Sequence, residues 1–278
     1  MYRYSKLTPF LRTLALGVAA ALFIAACASA PVTGRKQFML ISEDQAIAAS
    51  KSAYAEMLKE PRDKGKLDSD SAQTKRVRAI TSKLIAQAIV YRPETEKWDW
   101  SIHVIDEPET INAWAMAGGR MAVYTGLLEK IEPTDDELAQ VLGHEIAHAL
   151  AKHTAEKMSV ALATDLAVTA FAISQDNKGL ALAGASLAAV LAIKLPNSRT
   201  AETEADRIGV ELAAKAGYDP RAAVTLWKKM GAAGGNGPPE FLSTHPAPST
   251  RIDTLRHLAP QMMPYYEAKG TRPTYPLP

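Results

Sequence analysis

His144 and His148 stand four residues apart, with Glu145 beside the first, in a run whose local signals all specify helix. A four-residue step leaves two side chains about 40° apart around a helix axis, so both imidazoles can address one ion. Glu145 falls where a carboxylate can hold and deprotonate a water. This H-E-x-x-H arrangement predicts a zinc peptidase site and sets a helix at the centre of the fold. Thr134, followed by Asp135, Asp136 and Glu137, forms a capping box with acidic residues at the positive end of the helix dipole. Leu138, Val141, Leu142, Ile146, Ala149 and Leu150 add an apolar stripe, and Lys152, His153 and Lys157 lie toward the C-terminal end. The helix is expected to begin before the motif and continue past it.

Such a zinc site needs a third protein ligand and an open fourth position. Ala151 and Thr154 occupy the places that an H-x-x-G-x-x-H continuation would use, so the third ligand comes from elsewhere. On a regular helix His153 projects away from the histidine pair, as a surface residue or a partner of nearby acidic side chains. A second run, Ser198 to Gly209, places Glu202 and Asp206 one turn apart on a shared helix face. Glu202 can bind the metal while Asp206 accepts the outer N–H of a ligating histidine. Glu204 points elsewhere on that helix and is the rival ligand; a solvated charged face is the plain alternative.

Further motifs occur in order: Ile111 to Gly119, Val123 to Leu128, Ser198 to Asp206, and Ser243-Thr244-His245-Pro246 with Arg251-Ile252 beyond. Together with the His144 motif they resemble the HtpX and CAAX-prenyl-protease superfamily of zinc peptidases, including its periplasmic LoiP- and BepA-like and mitochondrial Oma-type members. The resemblance extends from about Pro31 to His257. It implies a zincin-like (gluzincin) fold with Glu202, in an E-x-x-A-D pattern, as third ligand and Asp206 as its support. It also implies that His245 lies near the zinc, either stabilising the oxyanion or occupying the water position and gating the enzyme. Arg251 is a second oxyanion candidate because its fork suits developing negative charge. Ala117 departs from the Pro or Asn common before the glycine near residue 118.

With 278 residues, 47% of them hydrophobic and rich in alanine and leucine, the chain can bury a substantial and mostly helical core. The 32 basic and 30 acidic residues give no case for a polyanionic partner, so nucleic acid binding is not expected. Arg3, Lys6 and Arg12 precede an apolar segment, Leu14 to Ile24, which ends in Ala25-Ala26-Cys27. These features predict a lipoprotein signal peptide over 1–26 and lipid on Cys27. Cys27 is the single cysteine, which rules out an intramolecular disulfide. An uncleaved anchor with an incidental cysteine is the alternative. Ala28 in the following position suggests a bacterial outer-membrane lipoprotein facing the periplasm.

A lipidated tether is expected over 27–41, a metallopeptidase domain over 42–258 and a poorly ordered Pro-rich tail over 259–278. Within the domain, helices are expected from Ser42 to about Lys59 and from Ser71 to about Val90, with a polar break between. Alternation predicts strands at Trp98 to Ile105, Arg120 to Tyr124 and Ile111 to Ala115. The fold class is therefore α+β, predominantly helical, with a small sheet beside the metal helix. Gly118, Gly119, Arg120, Ala122 and Tyr124 are the candidate edge that would pair with an extended substrate, or else an ordinary core strand. Residues 158–196 read as a helical hairpin or lid, with a membrane insertion as the alternative. Asp219-Pro220 starts a helix carrying Trp227. The expected activity is zinc-dependent endopeptidase action, with one Zn²⁺ per chain, on misfolded or unassembled cell-envelope proteins. Envelope assembly machinery is the expected partner beside the protein substrates. The rival is a lipid-anchored, chaperone-like factor with a latent site; a structural zinc site is disfavoured by the three-ligand set.

Overall fold

The computed structural model describes residues 27–174, 197–233, 239–246 and 250–277. The signal segment 1–26 and the second half of the expected hairpin, with its turn, lie outside them.

The described residues open with a small antiparallel hairpin, β1 (Cys27–Ser29) and β2 (Lys36–Phe38), which pairs Cys27 with Phe38 and Ser29 with Lys36. The segment expected as a tether is thus structured. Helix α1 (Glu43–Asp63) starts at the anticipated Ser42–Gln45 capping box but runs past Lys59 and through Pro61. Helix α2 (Ser71–Tyr91) is capped by Asp70 and buries Val77, Ile80, Leu84 and Ile85. A 3-10 turn (Pro93–Lys97) leads to β3 (Ser101–Ile105), shorter than expected.

Strands β4 (Ala113–Met116) and β5 (Arg120–Tyr124) join β3 in a three-stranded sheet of order β3-β5-β4. β5 is parallel to β3 and antiparallel to β4. Gly118 and Gly119, with φ of +84° and +80°, make the turn between β4 and β5. The expectation that Gly118 to Tyr124 forms the substrate edge is overturned. β5 is the central strand, with main-chain bonds on both sides, and β4 is the edge next to the motif helix.

After α3 (Thr125–Lys130) comes the motif helix α4 (Asp135–Leu150). The Thr134 hydroxyl accepts from Glu137 N–H and the Glu137 carboxylate from Thr134 N–H, which completes the capping box. From Glu137 to Leu150 every residue is buried. The helix passes His148 by only two residues, short of the Lys152 to Lys157 stretch expected at its C-terminal end. It stops at Ala151, Lys152 takes φ +61°, and α5 (His153–Ser174) leaves in a new direction. Arg92 donates to the Leu150 carbonyl and Gln37 to that of Ala151, so two distant side chains satisfy the last carbonyls of α4. No helix among the described residues is long and apolar enough to cross a membrane.

Helix α6 (Arg199–Lys215), capped by Ser198, packs on α4 at its closest crossing. A Cβ on Gly143 would stand 2.8 Å from the Gly209 carbonyl oxygen, and one on Gly209 would stand 2.7 Å from the His144 nitrogen. Only two glycines allow the backbones this near. The chain closes with α7 (Ala222–Ala232), the short α8 (Glu240–Thr244) and α9 (Arg251–Glu267). The first part of the tail expected to be poorly ordered is instead helical, through Pro260 and Pro264 as far as Glu267. Ala259 and Met262 anchor it in the core, and Tyr275 N–H donates to the Ser82 carbonyl.

Candidate metal centre

The glycine crossing of α4 and α6 brings Glu202 to the face that carries His144 and His148, and His245 arrives at the end of α8. These four buried residues each offer one ligand atom, all within 4.8 Å of one another. Nε2 of His148 lies 3.0 Å from Nε2 of His144, and the Glu202 carboxylate oxygens lie 3.3 Å from each. Donors bound tetrahedrally at about 2.0–2.1 Å stand about 3.3 Å apart, so the set fits a single zinc ion. Nδ1 of His245 is 3.3 Å from His144 Nε2 and 3.0 Å from Glu202 Oε1. Asn197 Nδ2 lies 3.2 Å from the same nitrogen.

Glu202 is fully buried. Burial alone would raise its carboxyl, but the His144 charge and hydrogen bonds from three imidazoles hold it well below the usual carboxylate range. Burial would lower His144, yet Glu202 and Asp206 outweigh it and raise the imidazole to about 9. For His148 burial prevails and the ring is held neutral. Glu145 is raised by burial, and Glu202 adds to the effect. Its Oε2 accepts from Ala115 N–H at 3.1 Å, which ties it to the sheet edge, while Oε1 has no hydrogen-bond partner. Among buried polar atoms such an orphan is uncommon. Glu145, His148, His245 and Trp114 line a cavity of about 30 Å³, space for about one water.

Behind the donors, Asp206 Oδ1 lies 3.0 Å from Nδ1 of His144, the supporting place expected for it. Arg251 directs one arm to Glu202 at 3.1 Å and the other to Asp206, and its guanidinium stacks 3.4 Å above the Trp227 ring. Its fork is engaged on the far side of Glu202 and does not line the cavity. Glu204, the rival ligand, faces away from the donor cluster toward His153, 3.0 Å from its Nε2. Of the two readings of His153, the surface one fails and the acidic-partner one holds. The residue is 1% exposed because the break at Lys152 turns α5 back toward the site.

Sequence reasoning missed Asn197, Lys157 and the hairpin residues Thr33 and Arg35. Lys157 lines the cavity, and burial lowers its ammonium to about 8 against the pull of Glu145 and Glu202. Among the expected edge residues, Arg120 pairs with Asp99 and Ala122 is buried between the flanking strands, so neither borders the cavity.

Residues 71–259 match peptidase family M48. The mitochondrial metalloendopeptidase OMA1 of Bos taurus is 37% identical over 258 residues, covering 87% of this chain and 48% of that protein. The mitochondrial metalloendopeptidase OMA1 of Schizosaccharomyces pombe is 35% identical, covering 83% of this chain and 66% of that protein. The beta-barrel assembly-enhancing protease of Escherichia coli is 28% identical, covering 71% of this chain and 41% of that protein. The chain spans about half the length of the relatives it matches. These matches overturn the expected location as a bacterial outer-membrane lipoprotein facing the periplasm, because the relatives at 34–37% identity are mitochondrial proteins of eukaryotes. The physical reason is that a basic start and an apolar run describe a leader by charge and hydropathy, and neither quantity specifies which membrane receives it.

Proposed function

We propose that this chain, which belongs to peptidase family M48, is a zinc-dependent endopeptidase acting on extended protein segments. One observation carries the reading: His144, His148 and Glu202 converge within 3.3 Å of one another beside an oxygen of Glu145 that accepts no hydrogen bond. When bound by these residues, zinc supplies Lewis-acid polarisation of the scissile carbonyl and favours deprotonation of water. Glu145, anchored through Oε2, uses Oε1 to take the proton of the attacking water and return it to the leaving amine. A carboxyl raised by burial suits both halves of that transfer. The edge strand β4 offers main-chain groups to an extended peptide. Arg251 holds Glu202 and Asp206 in place, since both arms of its fork are engaged there.

Misfolded or unassembled cell-envelope proteins are the proposed substrates, in line with the assembly role named for the Escherichia coli relative. Lipid attachment at Cys27 is a separate proposal, resting on its being the single cysteine after an apolar run, and intact mass of the mature N-terminus tests it. The cavity of about 30 Å³ favours a second reading of the same site, a latent peptidase in which His245 restricts entry. Glu145→Gln should retain one zinc per chain and lose cleavage of an unfolded protein by at least about a hundredfold. Cleavage at the parental rate by that variant would sink the mechanism.

A further inference from the structure

The N-terminal hairpin reaches the metal ligands through a chain of polar contacts that the peptidase chemistry leaves unused. Arg35 Nε donates to Glu204 Oε2 at 2.6 Å, and the Thr33 hydroxyl donates to Oε1 of the same carboxylate. The other arms of Arg35 fork onto Glu156 of α5 at 2.9 and 2.6 Å. Gln37 Nε2 donates to the carbonyl of Ala151 at the end of the motif helix, 2.7 Å away. Glu204 lies 3.0 Å from Nε2 of His153, and Nδ1 of His153 lies 2.7 Å from Nδ1 of His148.

Counting protons along this chain gives one consistent arrangement. Glu204 accepts from Arg35 and Thr33, as an ionised carboxylate does, so His153 Nε2 carries the proton in the contact between them. A neutral His153 then has its lone pair on Nδ1 and can only accept there. The donor is the Nδ1–H of His148, which leaves the lone pair of His148 on Nε2, the atom facing His144 and Glu202.

We propose that His153 is a positioning residue for the metal ligand His148, and that the hairpin, acting through Thr33, Arg35 and Glu204, is a structural part of the metal centre. The hairpin lies outside residues 71–259, so the stretch that matches the family does not contain everything that holds this site. Asp206 does for His144 what His153 does for His148, but its support arrives from a distant part of the chain.

The inference rests on the zinc reading of His148, and the test separates the two. Zinc affinity of the full chain is measured by chelator competition, and the visible absorption of the cobalt-substituted protein reports ligand geometry. His153→Phe, which keeps a ring and removes the acceptor, should weaken zinc binding about 10- to 100-fold and shift the cobalt spectrum. His153→Gln, whose amide can accept from His148 and donate to Glu204, should stay within about threefold of the parent. Arg35→Met, remote from every ligand, should weaken zinc several-fold with the apoprotein still folded. Parental affinity and an unchanged cobalt spectrum in His153→Phe overturn the inference alone. If His153→Phe does not fold, parental affinity in Arg35→Met overturns it. A parent chain that binds no zinc overturns the peptidase reading first, and this inference with it.

Discussion

Glu145 carries the proton in the proposed reaction, and its surroundings set how that step responds to pH. Burial is the largest influence and raises its carboxyl; His245 and His144 oppose this and Glu202 reinforces it. Only the ionised form accepts a proton, and in the metal-free chain the Glu145 carboxyl should titrate above its ordinary value of 4.5, read by carbon-13 NMR of the side-chain carboxyl. A midpoint at or below that value would contradict the environment described. Glu204 moves the opposite way. Burial would raise it, but His153, Thr33 and Arg35 outweigh burial and lower it to about 2. A carboxylate depressed by folding stabilises the fold above its unfolded value and loses that contribution as pH falls through its folded one. In chelator, denaturant unfolding of the parent should therefore weaken between pH 4.5 and about 2 more steeply than unfolding of Glu204→Gln. Equal slopes would show that the network around His153 contributes nothing to the metal-free fold. At this scale helical spacing made the His144, Glu145 and His148 arrangement legible and put Glu202 and Asp206 on one face, while the choice of Glu202 over Glu204 came from the resemblance to the zinc-peptidase superfamily. His153 was not, because its position depends on a break that its neighbours do not encode.

The crossing of α4 and α6 assembles the centre, and it depends on glycines that drew no attention as sequence. Gly143 and Gly209 sit inside helices, where each costs about 1 kcal/mol relative to alanine, and their contact shows what that cost allows. Gly209→Ala would push a methyl group to 2.7 Å from the His144 nitrogen, forcing the helices apart at the ligand itself. Overpacking of this kind costs about 1–3 kcal/mol, so the melting temperature should fall by several degrees, with zinc affinity falling too. Melting and affinity both at parental values would mean that the helices can separate freely there. Starts of elements were readable from capping chemistry, as Ser42–Gln45 and Thr134–Glu137 show, because those bonds are local. Ends and partners were less so. Lys152 at φ +61° has no sequence signature, and the same five residues of β5 read alike as an edge or a centre. Strand order is decided by what arrives from elsewhere in the chain, and the prolines of α9 are likewise tolerated because Ala259 and Met262 find a core.

Across the whole molecule, the metal-binding residues come from α4, α6 and the end of α8, with support from the hairpin and α9, so the site exists only in the folded chain. That closure leaves about 30 Å³ beside Glu145, whereas clefts that hold ligands measure roughly 300 Å³ or more. A water fits this space, and a bound peptide residue needs more of it. Substrate entry must therefore displace something, and His245 is well placed: it lines the cavity, its Nδ1 faces the ligand atoms, and its Nε2 lies 3.4 Å from Glu145 Oε1. Its ring is held by stacking on Phe241 at 4.4 Å and by Asn197, contacts that a substrate strand on β4 would have to compete with. The two roles open to His245 predict opposite outcomes for His245→Ala. As a restriction on entry, its loss should raise kcat/KM on an unfolded protein by about tenfold or more, since removing about 1.4 kcal/mol of opening cost suffices. As an oxyanion donor, its loss should lower kcat by about 10²–10³. Zinc content must stay at the parental level for either comparison to count, which is expected because His144, His148 and Glu202 are supported by Asp206, His153 and Arg251, all independent of His245. A fall in activity at full zinc occupancy would reject the entry-restricting role and assign His245 to the transition state.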